Sequence, residues 1–344
     1  MARNESYIVN EAAYVALRSL GTFMQCFEIN DVMAAVGSIG DQWFRRDRLR
    51  RERCLTHIHS SLPQLGADEA ANLCRLSMRH LLQTFLVELL FTPRLITPTT
   101  WPNYVRLGNV SHALATLTAA RPAIFLSGHC GNFELLGFTL ATVGFPMTAL
   151  ARPLDFPRIN DWLLDVRQKR GMTILTKFGA TDQAVSLIEQ GQRVAFIADQ
   201  NAGDRGLFVP FFGRLASAYK SIGLLAMRHD VPIICGFARR DKPDVFRYTL
   251  DMADIIEPTD WKNQPDPLFY ITARYTRSIE EMVRQAPDQY FWVHRRWKSR
   301  PPHERAGKPM PEALRRKLAT LPWMTDADVA QVVEQSERES ALAR

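Results

Sequence analysis

Apolar positions in the first part of the chain recur at helical spacing. Over residues 11–27 and 68–92, apolar side chains return close to every 3.6 residues, which predicts amphipathic helices. The segment TPRLITPTTWP, residues 92–102, contains three prolines and ends this pattern. The spacing therefore predicts a helical region over residues 1–100.

From about residue 105 the pattern changes to short, unbroken apolar runs that alternate with helix-like stretches. The apolar runs predict buried strands at residues 122–127, 146–151, 172–176, 193–198, 232–238 and 246–252. Helices are predicted at residues 131–143, 158–170, 180–190, 217–229 and 267–286. This alternation predicts an α/β fold, with a mostly parallel, mixed sheet flanked by helices. We expect the α/β domain to cover residues 101–302, and a polar, partly helical tail to follow over residues 303–344.

Composition indicates a globular protein with a reducing, cytoplasm-facing location. The chain has 344 residues, of which 46% are hydrophobic, enough for a sizeable core. Its five cysteines contain no C-x-x-C pair, which argues against a disulfide framework and a zinc ribbon. No secretory signal pattern is present, and no apolar run reaches the ~20 uninterrupted residues that span a bilayer. The nearest approach, residues 135–151, is interrupted by glycines and a proline and predicts a helix, a turn and a buried strand.

The positive charge of the chain is clustered. The formal net charge is +7, and arginines concentrate in RRDRLRRER, residues 45–53, and in HRRWKSR, residues 294–300. Such clusters attract the phosphates of nucleic acid, anionic lipid or a phosphorylated donor, although each alone also fits a solvated helix face. No nucleic-acid-binding motif is recognised, so we expect no nucleic acid as a partner.

The segment FLSGHCGNFE, residues 125–134, is the strongest candidate for chemistry. His129 follows a predicted strand at its carboxyl end, where α/β sheets bind ligands. If His129 lies on the loop and Glu134 in the first turns of the next helix, the carboxylate can fix the imidazole tautomer and support a general base. The alternative is structural: His129 and Asn132 satisfy backbone groups in the turn, and Glu134 favours the helix N-terminus.

Two other chemistries fit the sequence poorly. Cys130 stands directly beside His129, and adjacent residues seldom present their side chains to each other in hydrogen-bonding geometry. His57 and His59 lie outside the α/β region, with no third ligand at a metal-binding spacing. We therefore predict neither a cysteine nucleophile nor a metal ion.

Five blocks of the sequence resemble one known family. They are FLSGHCGNFELLG (125–137), ARPLDFPRIN (151–160), ADQNAGDRGLFVPFFGRLAS (198–217), PIICGFARR (232–240) and PDQYFWVHRRWKSRP (287–301). In this order and at these distances, they resemble the bacterial lipid A biosynthesis acyltransferases, and the similarity extends over residues 10–302. The resemblance implies a glycerolipid-acyltransferase-like fold. It also implies transfer of a fatty acyl chain from an acyl carrier protein or CoA thioester to a hydroxyl of a glycolipid, with a lipid A precursor as the expected acceptor and with no other cofactor.

The resemblance also implies roles for individual residues. The H-x-x-x-x-E motif of the family matches His129, which would deprotonate the acceptor hydroxyl, and Glu134, which would support it. Arg152 matches the arginine of the R-P motif, where a guanidinium could hold a phosphate or the developing oxyanion. A salt bridge between Arg152 and Asp155 is the alternative.

The other predicted substrate-binding residues come from the same blocks. Asp199 and Gln200 belong to the D-Q-x-x-G motif at the end of another predicted strand, and Asn132 and Arg158 complete the set. The segment LFVPFFG, residues 207–213, could line an acyl-chain channel, dip into lipid or pack beneath a lid.

The expected location is the cytoplasmic face of the inner membrane, with anionic lipids as partners. Family members commonly carry an apolar membrane-spanning segment at the N-terminus. Residues 11–27 here include Glu11 and Arg18, which favours peripheral, interfacial attachment. Tyr290, Trp292 and Trp297 fit an interfacial patch, although a core strand edge would explain them equally well.

Three other functions stay open at this point. The acceptor could be another glycolipid or an aminolipid, because no residue identifies it. The basic clusters also fit a non-catalytic binder of anionic membrane or nucleic acid. Hydrolysis is the third, since a base that activates a hydroxyl can also activate water, although no G-x-S-x-G motif supports a serine hydrolase.

Overall fold

A seven-stranded sheet organises the computed structural model, which describes residues 2–119, 121–151, 153–169, 171–175 and 180–342. The strands are β1 Val105–Leu107, β2 Ala123–Ser127, β3 Met147–Leu150, β4 Met172–Leu175, β5 Arg193–Ile197, β6 Leu207–Phe211, β7 Arg214–Ala218, β8 Ile233–Arg240 and β9 Tyr248–Ile256. Their order in the main sheet is β1-β9-β8-β2-β5-β3-β4, and β6 and β7 form a separate hairpin. All neighbours in the main sheet are parallel except β8 and β9. The predicted mixed α/β fold is confirmed.

The helices precede, flank and follow this sheet. They are α1 Ala2–Met24, α2 Ile29–Arg46, α3 Arg48–Ser61, α4 Ala67–Gln83, α5 Leu89–Leu95, α6 Ser111–Thr118, α7 Phe133–Thr142, α8 Pro157–Gln168, α9 Ala180–Glu189, α10 Lys220–His229, α11 Pro258–Trp261, α12 Pro267–Gln285, α13 Pro302–Arg305, α14 Glu312–Ala319 and α15 Asp326–Leu342. A π-helical turn, Thr84–Glu88, joins α4 to α5. None of the helices in the described ranges combines the length and the apolar character that a bilayer crossing requires.

The predicted strands agree with the observed ones, and the clearest error concerns the β6–β7 hairpin. Ser217 and Ala218 were predicted to begin a helix, but they end β7. The apolar segment 207–213 forms β6 and its turn, with Val209 and Phe211 completely buried. The buried side chains of this segment favour the core-packing alternative, and none of residues 207–213 lines the cavity described below.

The helices at both ends of the chain share contacts with the α/β region. Cys54, Ile58 and Met78 of α3 and α4 are completely buried in the same cluster as strand residues of the sheet. At the other end, Arg214 of β7 forms an ion pair of 2.7 Å with Glu339 of α15. The last helices are therefore packed onto the hairpin.

The aromatic segment near residue 290 belongs to the core. Tyr290, Trp292 and Trp297 are all buried, and the rings of Tyr290 and Trp292 meet edge to face. Phe211 of β6 contacts the rings of Tyr290 and Trp297. The prediction of an interfacial aromatic patch is therefore wrong, and the core alternative is correct.

Candidate active site

The loop that follows β2 holds His129 in a fixed position. A side chain at Gly128 would come within 2.8 Å of Ile279, and one at Gly131, where φ is +62°, within 2.2 Å of the Ala238 carbonyl oxygen. Only glycine tolerates these approaches. The Gly131 N–H also donates to the Gln289 carbonyl at 3.0 Å. The loop is thus tied to the surrounding core on both sides.

His129 and Asp199 form a closely hydrogen-bonded pair. Oδ1 of Asp199 lies 2.7 Å from Nδ1 of His129, and Oδ2 accepts the backbone N–H of His129 at 2.9 Å. The two residues meet because β5 lies beside β2 with Ser127 opposite Ile197, and each functional residue follows its strand by two positions. The sheet topology therefore brings together side chains that are 70 residues apart.

Asp199 is charged at neutral pH. The side chain is buried, and burial acts to raise its pKa, but the charge of His129, the hydrogen bonds from His129 and the charge of Arg296 hold the pKa below the ordinary carboxyl value. An ionised carboxylate can only accept, so Nδ1 of His129 carries the proton. In the neutral form of this ring, the lone pair lies on Nε2, which can then act as a base.

Glu134 has a different partner from the one predicted. It lies in the first turn of α7 and accepts two hydrogen bonds from Arg167 of α8, at 2.6 and 3.0 Å. The carboxylate that holds the imidazole tautomer is therefore Asp199 rather than Glu134. Glu134 and Arg167 both line the same cavity as His129, and a part for Glu134 in catalysis stays a prediction.

Two predicted substrate-binding residues differ in their access to substrate. Gln200 lines the cavity, and its Nε2 lies 3.4 Å from Nε2 of His129. Asn132 is completely buried: its side-chain oxygen caps α7 by accepting from Leu135 N at 2.8 Å, and its side-chain nitrogen donates to Glu88 at 2.6 Å. Since both ends of this amide are used within the protein, the structure supports the capping role and not substrate binding.

Of the two predicted arginines, the structure describes only Arg158. Arg158 lies on the surface of α8, where it forms an ion pair of 3.4 Å with Glu11 and stacks 4.7 Å from the ring of Tyr14. It therefore joins α8 to α1 and does not line the cavity. Arg152 lies outside the described residues.

A deep apolar cavity of about 450 Å³ opens at His129. His129 and Gln200 line one end, and Leu117 of α6 lines the other. The carbonyl oxygen of Leu117 accepts a hydrogen bond from the side chain of Arg193, the first residue of β5. Gln200, at the other end of the cavity, follows Ile197, the last residue of β5. The cavity thus runs along about four residues of β5, or roughly 13 Å at about 3.3 Å per residue. Its size lies within the ~300–1,000 Å³ range of small-molecule sites.

Sequence reasoning missed the aromatic surroundings of the imidazole. The ring of Phe133 lies 5.0 Å from that of His129, and the ring of Phe291 lies 5.8 Å away on another element. Phe133 is adjacent to Glu134 in the predicted motif, so its place could have been inferred. No local pattern indicates Phe291, because the tertiary fold brings it to His129.

The structure argues against Cys130 as a nucleophile. Cys130 is completely buried, its thiol points to the carbonyl oxygens of Met282 and Ala286, and burial raises its pKa well above the ordinary value. A buried, protonated thiol is a poor nucleophile. Over the described ranges, no cluster of three or more histidine, cysteine or acidic side chains is arranged to hold a metal ion.

Comparison with known proteins gives a consistent picture. The model of the family described as bacterial lipid A biosynthesis acyltransferase matches residues 11–299. A lipid A biosynthesis lauroyltransferase of Escherichia coli K12 is 28% identical over 45% of this chain and 50% of its own length. A lipid A biosynthesis palmitoleoyltransferase of the same strain is 29% identical over 53% of this chain and 57% of its own. A lipid A biosynthesis acyltransferase of Haemophilus influenzae is 25% identical over 49% of this chain and 52% of its own. The chain thus spans about half the length of these curated relatives.

Proposed function

Because the chain belongs to the bacterial lipid A biosynthesis acyltransferase family, we propose that it transfers a fatty acyl chain from a thioester to a hydroxyl of a lipid A precursor. The observation that carries this proposal is the His129–Asp199 pair at the mouth of a deep apolar cavity. A base next to a lipid-sized cavity is the arrangement that acyl transfer requires. The donor is an acyl carrier protein or CoA thioester.

His129 is the general base in the proposed reaction. Its Nε2 accepts the proton of the acceptor hydroxyl while the hydroxyl oxygen attacks the thioester carbonyl carbon. The tetrahedral intermediate collapses as the C–S bond breaks, and His129 returns the proton to the leaving thiolate. Asp199 stabilises the imidazolium between the two proton transfers. Gln200 is placed to donate a hydrogen bond to a substrate oxygen near Nε2.

A transfer assay tests this function. Wild-type protein is incubated with a lipid A precursor and with acyl carrier protein or CoA thioesters of several chain lengths, and the products are followed by mass spectrometry. We expect a mass gain equal to one acyl group on the precursor. Acylation of a different glycolipid or an aminolipid in a total lipid extract would change the assigned acceptor. No acylated lipid with either donor would contradict acyl transfer.

The cavity is proposed to hold the acyl chain, and its closed end to limit chain length. Replacing the buried Leu117 with phenylalanine shortens the cavity at the end farthest from His129. We expect Leu117→Phe to shift the preferred thioester toward shorter chains, with kcat/KM for the longest accepted chain reduced about tenfold or more, since overpacking costs about 1–3 kcal/mol. The measurement is kcat/KM across a series of saturated acyl thioesters.

The matched control is Leu225→Phe. Leu225 is buried in α10 but does not line the cavity, so the change overpacks the core without shortening the cavity. We expect Leu225→Phe to keep the wild-type chain-length profile. If Leu117→Phe lowered kcat/KM by the same factor for all acyl chain lengths, the cavity would not determine the chain-length preference.

We also propose that α1 attaches the protein to a membrane surface. Val9, Leu20 and Phe23 are exposed by 61%, 47% and 62%, and lie on one face because eleven residues make about three helical turns. The exposed Leu154 and Phe156 precede α8, which packs against α1. Leu154 also lines the cavity, so one of these exposed apolar side chains reaches both the surface and the cavity. An exposed amphipathic face of this kind favours the lipid interface.

Replacing this apolar face with polar side chains is expected to weaken membrane attachment. Leu20→Ser/Phe23→Ser removes two exposed apolar side chains, so we expect co-sedimentation with anionic phospholipid vesicles to fall several-fold. Leu224→Ser/Met227→Ser removes exposed apolar side chains from α10 and serves as the control. Equal binding by both double variants would show that α1 is not the attachment site.

A further inference from the structure

The two arginine-rich segments of the sequence, residues 45–53 and 294–300, meet at one surface cleft. This basic cleft has a volume of about 460 Å³ and is separate from the acyl cavity. Four cationic side chains line it, and they are Arg50 and Arg53 of α3 with Arg295 and Lys298 of the later segment. They come from positions about 240 residues apart, as the contact between Arg53 and Val293 shows. Only the folded chain concentrates this charge.

The charge of the basic cleft is largely uncompensated. Its lining contains no aspartate or glutamate. Arg50 pairs with the nearby Asp47, whereas Arg53, Arg295 and Lys298 have no carboxylate at ion-pair distance among the residues that the structure describes. Within the described part of the chain, three cations without a paired carboxylate thus surround one concave site and create a strong positive potential, which favours a multiply charged anion.

The two sides of the basic cleft are held together by contacts beneath it. Nδ1 of His57 on α3 lies 2.8 Å from the carbonyl oxygen of Trp292, and the ring of His57 packs edge to face on Trp297. Arg53 Nη1 donates to the carbonyl oxygen of Val293 at 3.4 Å. The two segments that carry the cationic groups are therefore held side by side before any ligand arrives, which lowers the entropic cost of binding.

The basic cleft borders His129. Phe291 lines the cleft, its backbone N–H donates to the His129 carbonyl at 3.1 Å, and its ring lies 5.8 Å from the imidazole. Asn201 lines the cleft as well and follows Gln200, which contacts the imidazole at 3.4 Å. A molecule that reacts at His129 can thus extend into the acyl cavity and into the basic cleft.

We propose that the basic cleft binds a phosphate group of a substrate while the reacting atoms lie at His129. Guanidinium groups match phosphate oxygens with paired hydrogen bonds, and a lysine adds a further charge. The substrate class follows from the proposed function, on which this inference rests. The phosphate has two chemical sources there: a phosphate ester on the glycolipid acceptor, or the phosphopantetheine arm of the thioester donor.

The test compares two double variants that remove the same charge. Arg53→Gln/Arg295→Gln removes two positive charges from the basic cleft. Arg45→Gln/Arg46→Gln removes two positive charges from exposed arginines of the 45–53 segment that do not line the cleft. We expect the cleft variant to raise the KM of the phosphorylated substrate roughly tenfold or more, with a small change in kcat. The control variant should stay close to wild type. Arg53→Lys/Arg295→Lys should recover part of the loss, because it restores charge without the paired hydrogen bonds.

Substrate pairs with and without phosphate identify the source. The acceptors are a phosphorylated lipid A precursor and the same lipid after phosphatase treatment. The donors are acyl-phosphopantetheine and acyl-pantetheine. If the loss appears only with the phosphorylated precursor, the cleft holds the acceptor, and if it appears only with acyl-phosphopantetheine, the cleft holds the donor. A loss of equal size with and without phosphate would overturn the proposal.

A binding measurement separates this proposal from the proposed function. Micelles that carry the phosphorylated or the phosphatase-treated precursor are titrated into each variant, with no reaction needed. Weaker binding of the cleft variant to the phosphorylated micelles alone would support the cleft even if the wild-type protein transferred no acyl chain. Active wild-type protein with equal binding and equal KM in both double variants would overturn the cleft and leave the proposed function standing.

Discussion

Replacing His129 with alanine is expected to abolish acyl transfer. The change removes the imidazole that we propose as the base, and a general base typically raises the reaction rate about 10²- to 10⁴-fold. Among the described residues, Nδ1 of this imidazole is the only ring nitrogen that forms a hydrogen bond with Asp199. We expect kcat to fall by at least this factor in the mass-spectrometric transfer assay. His112→Ala, on the exposed surface of α6, is the control and should retain wild-type activity.

Stability has to be measured alongside this activity. His129→Ala removes the imidazole hydrogen bond to the buried Asp199 carboxylate, and leaving a buried polar group without its partner costs about 1–3 kcal/mol, and more when the group is charged. His129→Gln is therefore the second variant, because its amide can donate to Asp199 but cannot serve as a base. If His129→Gln unfolds near the wild-type temperature but transfers no acyl chain, the role of His129 as the base is supported. A folded His129→Gln protein that transferred acyl chains at the wild-type rate would exclude it.

The second large effect is expected from Asp199→Asn. The carboxylate fixes the proton on Nδ1 of His129, and an asparagine would offer its amide N–H there and favour the wrong tautomer. In the serine protease triad the equivalent change lowers kcat about 10⁴-fold, so we expect a loss of roughly 10³-fold or more. Because the pKa of Asp199 lies below the ordinary carboxyl value, the wild-type group stays ionised, and the loss should persist from about pH 6 upward.

Glu134→Gln is the matched comparison for this prediction. It also neutralises one carboxylate of the cavity, but Glu134 contacts Arg167 and not the imidazole. We expect its effect on kcat to be much smaller than that of Asp199→Asn. If Glu134→Gln had the larger effect, Glu134 would be the carboxylate that supports catalysis, as the sequence motif alone suggests, and Asp199 would have a structural role.

Much of the fold was predictable from local pattern. Unbroken apolar runs such as residues 122–127 become strands buried on both faces. Helix α5 ends at Leu95, within the predicted proline-containing segment 92–102, although Pro93 lies inside that helix. The β6–β7 hairpin was not predicted. Its turn residue Phe212 adopts a left-handed backbone with φ of 52°, which is uncommon for a bulky residue. The apolar side chains beside it were equally compatible with an acyl channel, a lipid contact and buried packing.

The candidate site was predictable as a set of residues but not as a set of partners. His129, Gln200 and Asp199 were identified at strand ends, and the structure brings all three together. Glu134 was assigned to His129 because it is near in sequence, yet the orientation of α7 turns it toward Arg167. Asn132 was expected to bind substrate, but it is an N-cap.

The sequence by itself determined the α/β class, the position of the histidine loop and the two separate basic segments. These depend on apolar periodicity, glycine placement and composition, which are local properties of the chain. Only the tertiary structure decided that Asp199 holds His129, that an apolar cavity opens beside them, and that the basic segments converge on one cleft. Strand order in the sheet and the packing of α3 set these distances, and both depend on contacts between residues far apart in the chain.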